Sequence, residues 1–208
     1  AHTERPIRGG ELNILGKLVI AIGLGALIVP PGLAQVPGII DTHGHIENGG
    51  RRGTDFRGSL DAALGRMDQS GIRRIIIMPP PMAAGTPGTY EIESYGFAKQ
   101  AYAGRILLGG GGGSLNAMIQ TSAPDAVTDE VKKAFRTRAE QIAAAGAVAF
   151  GEIALHHLSL RPMGPQHPYE WASPDHPLLM LLADIAAERN IPMDLHLDLV
   201  PEDMALPD

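Results

Sequence analysis

Residues 39–46 read IIDTHGHI, and this stretch sets the interpretation of the whole chain. Two isoleucines, typical of a strand, run directly into an acid and two histidines. Side chains two residues apart in a strand point to the same side, so Asp41, His43 and His45 project together. Two imidazoles at one strand end predict a site for a divalent metal ion, with Asp41 as an acceptor that orients a ligand or as a catalytic group.

Outward from this stretch, short apolar runs alternate with segments of helical periodicity. Such alternation predicts an α/β fold in which helices cover a parallel sheet. No G-x-G-x-x-G motif follows the first run, so a dinucleotide-binding fold has no support. We therefore predict a TIM-like (β/α)8 barrel, whose functional side chains gather at the carboxyl ends of the strands. The predicted strands span 38–45, 73–80, 105–110, 147–155 and 192–200, and the predicted helices span 59–71, 90–104, 128–146 and 176–190.

The number of units is smaller than a complete barrel requires. A full barrel has eight units and about 250 residues, whereas residues 35–208 carry five predicted strands. We therefore expect a partial barrel of about five β/α units. It would be a fragment of a longer protein or a chain that something else completes, because five parallel strands left open expose an unpaired edge.

Polar residues also stand at the ends of later predicted strands. Glu152 lies late in the fourth strand and His196 lies in the fifth, so both reach the rim that His43 and His45 occupy. Together they form a His/His/carboxylate/His set that leaves coordination positions open for water and substrate. A metal ion held there would lower the pKa of its bound water to roughly 7.

Three further residues are candidates for substrate binding. Arg51 follows the first strand, where its guanidinium could bind a substrate carboxylate or phosphate or simply lie in a solvated loop. His156, rather than its neighbour His157, is expected to share the side of the fourth-strand glutamate, because alternate residues share a face. Asp198 lies two residues after His196 and either contacts substrate or caps the next helix.

These motifs resemble those of the amidohydrolase superfamily. The resemblance rests on DTHGH at 41–45, the glutamate of GEIAL at 151–155 and the histidine of DLHLD at 194–198. It extends over about residues 38–200 and points to the amidohydrolase-related branch, which includes hydrolases and some non-oxidative decarboxylases.

The resemblance implies a metal-bearing (β/α)8 barrel. It implies that His43 and His45 bind one metal ion and that His196 also binds metal. Glu152 would take the bridging position that a modified lysine often holds. The family also has a histidine near the sixth strand and a proton-shuttling aspartate at the end of the eighth, and both would fall beyond Asp208.

The composition restricts the functional classes. The 208-residue chain has no cysteine and a formal net charge of −6. Without cysteine there is no thiol nucleophile, no cysteine-type zinc site and no disulfide, so histidine and carboxylate side chains must hold any metal. We expect one or two divalent ions, with zinc as the metal. No basic block is present, so the expected partner is a small-molecule substrate and not nucleic acid.

The first 34 residues differ from the rest of the chain. Basic residues precede an apolar run at 18–29, and prolines and a small-residue motif ending at Ala34 follow it. This is the layout of a secretory signal, and the run is shorter than the about 20 residues that span a bilayer. We expect residues 1–34 to be a signal peptide and the protein to be exported, periplasmic or secreted. The alternatives are an uncleaved membrane anchor and a buried core helix.

The leading functional hypothesis is a metal-dependent hydrolase in which an activated water attacks an amide, ester, lactone or related bond. A metal-dependent non-oxidative decarboxylase on the same scaffold is the alternative. A third hypothesis is an inactive metal-binding fragment that lacks the last three strands of the barrel.

Overall fold

The structure is a computed structural model that describes residues 38–46, 55–159 and 167–199. All of them belong to one compact unit, 37–208, and the predicted signal peptide lies outside the described residues. No helix among the described residues is both long and apolar enough to cross a bilayer.

The strands and helices of the described residues largely alternate along the chain. The strands are β1 (Ile39–Gly44), β2 (Ile72–Ile77), β3 (Ile106–Gly111), β4 (Ala149–His157), β5 (Glu170–Trp171) and β6 (Met193–Leu197). The helices are α1 (Phe56–Ser70), α2 (Ala98–Ala101), α3 (Leu115–Thr121), α4 (Asp129–Ala145) and α5 (Pro177–Arg189).

Five strands form the parallel sheet that the sequence predicts. Their order is β1-β2-β3-β4-β6, and each neighbouring pair is parallel. The two-residue β5 pairs antiparallel with the end of β4 and is absent from the prediction. Alternating β/α units on a mostly parallel sheet are compatible with a partial TIM-like α/β fold.

The sheet is strongly curled. His43 in β1 and Asp194 in β6 lie on the first and last strands of the parallel order, yet their side chains are 3.1 Å apart. In a flat sheet, four inter-strand spacings of about 4.8 Å would separate these strands by roughly 19 Å. The curl therefore brings the carboxyl end of β1 beside the start of β6. Within the described residues β1 and β6 do not pair, so the strands seen here do not close a barrel.

Helix α4 shows how the sequence positions the layer that packs on this sheet. Thr128 caps its first turn, and Gly146, with a φ of 98°, ends it in the left-handed conformation. Its buried side chains, Phe135, Ala139 and Ile142, recur at four- and three-residue spacing and so share one face. This face joins the apolar core of the domain.

The glycine-rich run 109–113, whose composition predicts a flexible loop, is instead closely packed. Its first part ends β3, and the Gly111 N–H donates to the buried Glu91 carboxylate at 2.9 Å. A Cβ at Gly113 would overlap the carbonyl oxygen of Tyr90. Glycine is needed there because two backbones approach each other closely.

The segment 90–104, predicted to be one helix, forms a 3-10 turn at Ile92–Ser94 and the single-turn helix α2. The Glu91 carboxylate accepts a hydrogen bond from the next backbone N–H, and the Tyr95 hydroxyl donates to a β3 carbonyl oxygen at 2.7 Å. These side chains fasten the segment to β3, and Gly96 disfavours a continuous helix. Tertiary contacts thus override the helical periodicity.

Candidate metal centre

Three side chains converge between the carboxyl end of β1 and the middle of β4. His43 Nε2 lies 3.2 Å from His45 Nε2. Glu152 Oε2 lies 3.1 Å from His45 Nε2 and 3.7 Å from His43 Nε2. Two ligand atoms placed 2.0–2.1 Å from a zinc ion at the tetrahedral angle would be about 3.3 Å apart. The spacing and the donor types fit a divalent ion, and these three residues could hold one.

The segment after β2 fixes the orientation of His45. His45 Nδ1 lies 2.9 Å from the Met78 carbonyl oxygen. A carbonyl oxygen only accepts, so Nδ1 donates and Nε2 is the ring atom that faces Glu152 and could serve as a metal ligand. The Pro79 carbonyl oxygen also accepts from the Glu152 N–H at 3.2 Å, so the proline-rich segment supports two members of the group.

Glu152 is the buried member of the group, with 4% of its surface exposed. Burial would raise its pKa, but the hydrogen bonds with His45 and His196 lower it, and the pKa of Glu152 lies below its usual value. Glu152 is therefore ionised at neutral pH. A buried carboxylate with histidine partners is suited to bind a cation.

His196 contacts the carboxylate groups of Glu152 and Asp198. Its Nδ1 lies 2.6 Å from Glu152 Oε1, and its Nε2 lies 3.1 Å from Asp198 Oδ2. Burial lowers the pKa of His196, but these two hydrogen bonds raise it and prevail. Each ring nitrogen faces a carboxylate oxygen, so the ring bridges the two carboxylates. Its role as a metal ligand stays a prediction.

The other candidates are placed as follows. Asp41 Oδ1 accepts from the His43 backbone N–H at 3.1 Å, so its observed hydrogen bond is to the backbone of β1. Asp198 Oδ2 accepts from the Leu158 N–H at 2.8 Å in addition to its contact with His196. Arg51 lies outside the described residues.

His157, and not His156, contacts the ring of His196. The centroids of the His157 and His196 rings are 4.5 Å apart. His156 is buried and packs edge-on against Tyr169. The register between β4 and β6 shifts between Phe150 and Ile153 and again between Ala154 and His156. The substrate role of His156 stays a prediction.

The sequence pattern did not single out Asp194, which meets His43 from β6. His43 Nδ1 lies 3.1 Å and 3.2 Å from the two carboxylate oxygens of Asp194. One signal was available, since Asp194 precedes His196 by two residues and alternate strand residues share a side.

Asn116 and Glu170 form a second buried pair near the end of β4. The Asn116 side chain donates to Glu170 at 3.2 Å and accepts from the Ala154 N–H at 2.9 Å. Burial raises the pKa of Glu170 to about 7, against the smaller opposing effect of the Asn116 hydrogen bond. Both residues lie on the elements that the sequence did not predict, α3 and β5, so no strand-end signal marked them.

No family model matches the chain, and no curated protein matches it. Among solved structures, the chain is similar to the crystal structure of a probable 2-pyrone-4,6-dicarboxylic acid hydrolase from Acinetobacter baumannii with citric acid bound. The sequence identity is 16% and the TM-score is 0.41. The alignment covers 77% of this chain and 49% of that one, so this chain spans about half the length of the protein it matches.

Proposed function

We propose that this chain is the metal-binding part of a metal-dependent hydrolase, in which His43, His45 and Glu152 hold a divalent cation. Zinc is the expected ion, because two imidazoles and a carboxylate are among its common ligands. The observation that supports the proposal is the convergence of the two Nε2 atoms and Glu152 Oε2 at separations of 3.1–3.7 Å.

The surrounding residues suit such a centre. When bound, the cation would supply Lewis-acid polarisation of a carbonyl group and activation of water. Glu152 and His45 hold the site from its buried side through Met78 and Pro79. The His196 ring lies between Glu152 and Asp198 and contacts both, which keeps these two carboxylates apart and oriented.

The reaction class in the proposal is hydrolysis of an amide, ester, lactone or related bond in a small molecule. Arg51, His156 and Asp198 are the proposed substrate contacts, and Asp41 and Glu152 are the proposed catalytic residues. We also propose that the protein acts after export, with residues 1–34 as the signal.

The first experiment measures metal binding. The purified full chain is titrated with zinc in competition with a chromophoric chelator, alongside H45A and E152Q. The exposed Asp184→Ala variant, on α5, serves as a matched surface control. We expect wild type and D184A to bind zinc and both site variants to lose affinity. Absence of zinc binding by the folded wild-type chain, or unchanged affinity in both site variants, would overturn the proposal.

The second experiment separates hydrolysis from decarboxylation. The zinc-loaded chain is incubated with a panel of esters, lactones, amides and unsaturated carboxylic acids in 18O-labelled water. Hydrolysis places the label in the acid product. Release of carbon dioxide without label in the organic product would replace hydrolysis with decarboxylation.

A further inference from the structure

We infer that Asp194 is a positioning residue that fixes the ring orientation and the tautomer of His43 for metal binding. The inference rests on the proposed function, since it concerns the same cation site. Asp194 reaches that site from β6, the strand farthest from β1 in the parallel order.

The geometry defines what Asp194 does to the ring. Both of its carboxylate oxygens lie within 3.2 Å of His43 Nδ1. An ionised carboxylate only accepts, so Nδ1 carries the proton and Nε2 carries the lone pair. That lone pair is on the atom that lies 3.2 Å from His45 Nε2. Asp194 thus directs the ligand atom of His43 into the cluster.

His43 has little else to hold its ring. It lies on an edge strand with 41% of its side chain exposed. Its other ring contacts among the described residues are the edge-on packing against His45, with centroids 4.8 Å apart, and the 3.7 Å approach of Nε2 to Glu152 Oε2. Without the carboxylate, an exposed imidazole would sample other rotamers and place its proton on either nitrogen.

The two histidines are held by acceptors of different charge. A neutral backbone carbonyl orients His45, whereas a carboxylate orients His43. An anionic acceptor makes the distal nitrogen more basic and strengthens its bond to a cation. Asp194, on β6, thereby orders the ring of His43 and makes it a stronger metal ligand.

The sequence of β4 makes room for this contact. A Cβ added at Gly151 would lie 2.6 Å from the Asp194 Cβ and 2.9 Å from its carbonyl oxygen, which is closer than packed atoms allow. Glycine at this position lets β6 approach β4 closely enough for Asp194 to sit beside the site.

A purely structural ion pair is the competing explanation. In that case Asp194 would pair with a protonated His43 and link β1 to β6 without influence on the ligand atom. Replacing Asp194 would then lower stability but leave the zinc affinity of the folded chain unchanged.

The test compares zinc affinity in wild type, D194A, D194N and the surface control D184A, each checked for folding by circular dichroism. We expect D194A to bind zinc about 10–100-fold more weakly, as is typical when the partner of a ligating histidine is removed. D194N should recover part of the loss, because its amide oxygen still accepts from Nδ1–H. Equal affinity of folded D194A and wild type would overturn the inference.

A second measurement does not depend on zinc. Two-bond 15N–1H correlations of the histidine rings in the metal-free chain report the tautomer of His43. We expect protonated Nδ1 in wild type and a tautomer mixture in D194A. If wild type shows this tautomer but binds no zinc, the proposed function fails and the role of Asp194 in fixing the ring stands. If wild type binds zinc and D194A keeps both the tautomer and the affinity, the inference alone fails.

Discussion

The ionisation of the buried glutamates near this site depends on their hydrogen-bond partners. Glu152 is deeply buried yet ionised, because two histidines donate to it. Glu170 is equally buried but has only the neutral Asn116 amide as a hydrogen-bond donor among the described residues. Glu152 and Glu170 are thus expected to carry different charges at pH 6.

The raised pKa of Glu170 predicts a pH dependence of stability. In the folded chain this pKa is about 7, above the ordinary glutamate value of 4.5, so the folded state holds a proton that the unfolded state releases between these values. The free energy of unfolding contributed by this group therefore falls as pH rises through that window. We expect E170Q, measured by urea denaturation, to gain on the order of 2 kcal/mol over wild type between pH 5 and pH 8. Parallel profiles of the two proteins would contradict this expectation.

Residue-scale prediction from the sequence succeeded where spacing was local. His43 and His45 are two residues apart in β1, and they meet as alternation predicts. The contact between the rings of His157 and His196 was not predicted, because alternation along a regular strand does not account for the register shifts in β4, and the substrate role of His156 stays a prediction. Asp194 escaped notice because its partner His43 is 151 residues away.

At the scale of elements, helix α3 takes the place of a strand beside β4. Asn116 and Gln120 are four residues apart, so they lie on one face of the helix. Asn116 accepts from the Ala154 N–H at 2.9 Å, and Gln120 donates to the Ala154 carbonyl oxygen at 2.7 Å. Beyond the end of β3, the two side chains of α3 thus satisfy the hydrogen-bonding groups of the Ala154 backbone. These bonds hold this part of β4 in place near the site.

Two glycines offer a matched test of how the elements pack. Gly65 lies inside α1 with open space around its Cβ position, whereas a Cβ at Gly113 would overlap the Tyr90 carbonyl group. We expect G65A to stabilise the chain by about 0.5–1 kcal/mol through helix propensity. We expect G113A to destabilise it by about 2 kcal/mol or more through a forced backbone shift. Chemical denaturation measures both, and a neutral G113A would mean that the glycine run is a loose loop.

The existence of the main elements could be predicted from the sequence, and some of their details could not. The five long apolar runs all form strands in one parallel sheet, because their periodicity and β-branched content are local properties. Helix α3 follows a run of glycines whose composition predicts coil, and β5 has only two residues, so its pairing depends on β4. Such elements are decided by tertiary contacts, which a single sequence does not display.

At the scale of the whole molecule, the curl of the sheet brings residues from distant strands together at the candidate metal centre. The site uses β1, β4 and β6 together, so a cation bound there would favour the folded state alone. We expect zinc at 100 times its dissociation constant to add about 2.7 kcal/mol to the free energy of unfolding. For a domain of this size that corresponds to a rise of about 5–10 °C in Tm. Calorimetry with zinc, then with excess chelator, checks the rise and its reversal.

The matched control for this prediction is H43A, which removes a ligand from the exposed edge of the sheet. Its Tm should respond little to zinc, while D184A should respond as wild type does. A similar zinc-induced rise in H43A would show that the stabilising ion binds elsewhere.

The meeting of His43 with Asp194 also bears on synthesis at the ribosome. The two residues are separated by 151 positions, so His43 leaves the exit tunnel long before the carboxylate that orients it has been translated. Through most of translation, the nascent polypeptide has only the two neighbouring imidazoles as ligands, and these bind a metal ion weakly. Acquisition of the ion should therefore be a late event, one that marks a chain whose last described strand has already docked.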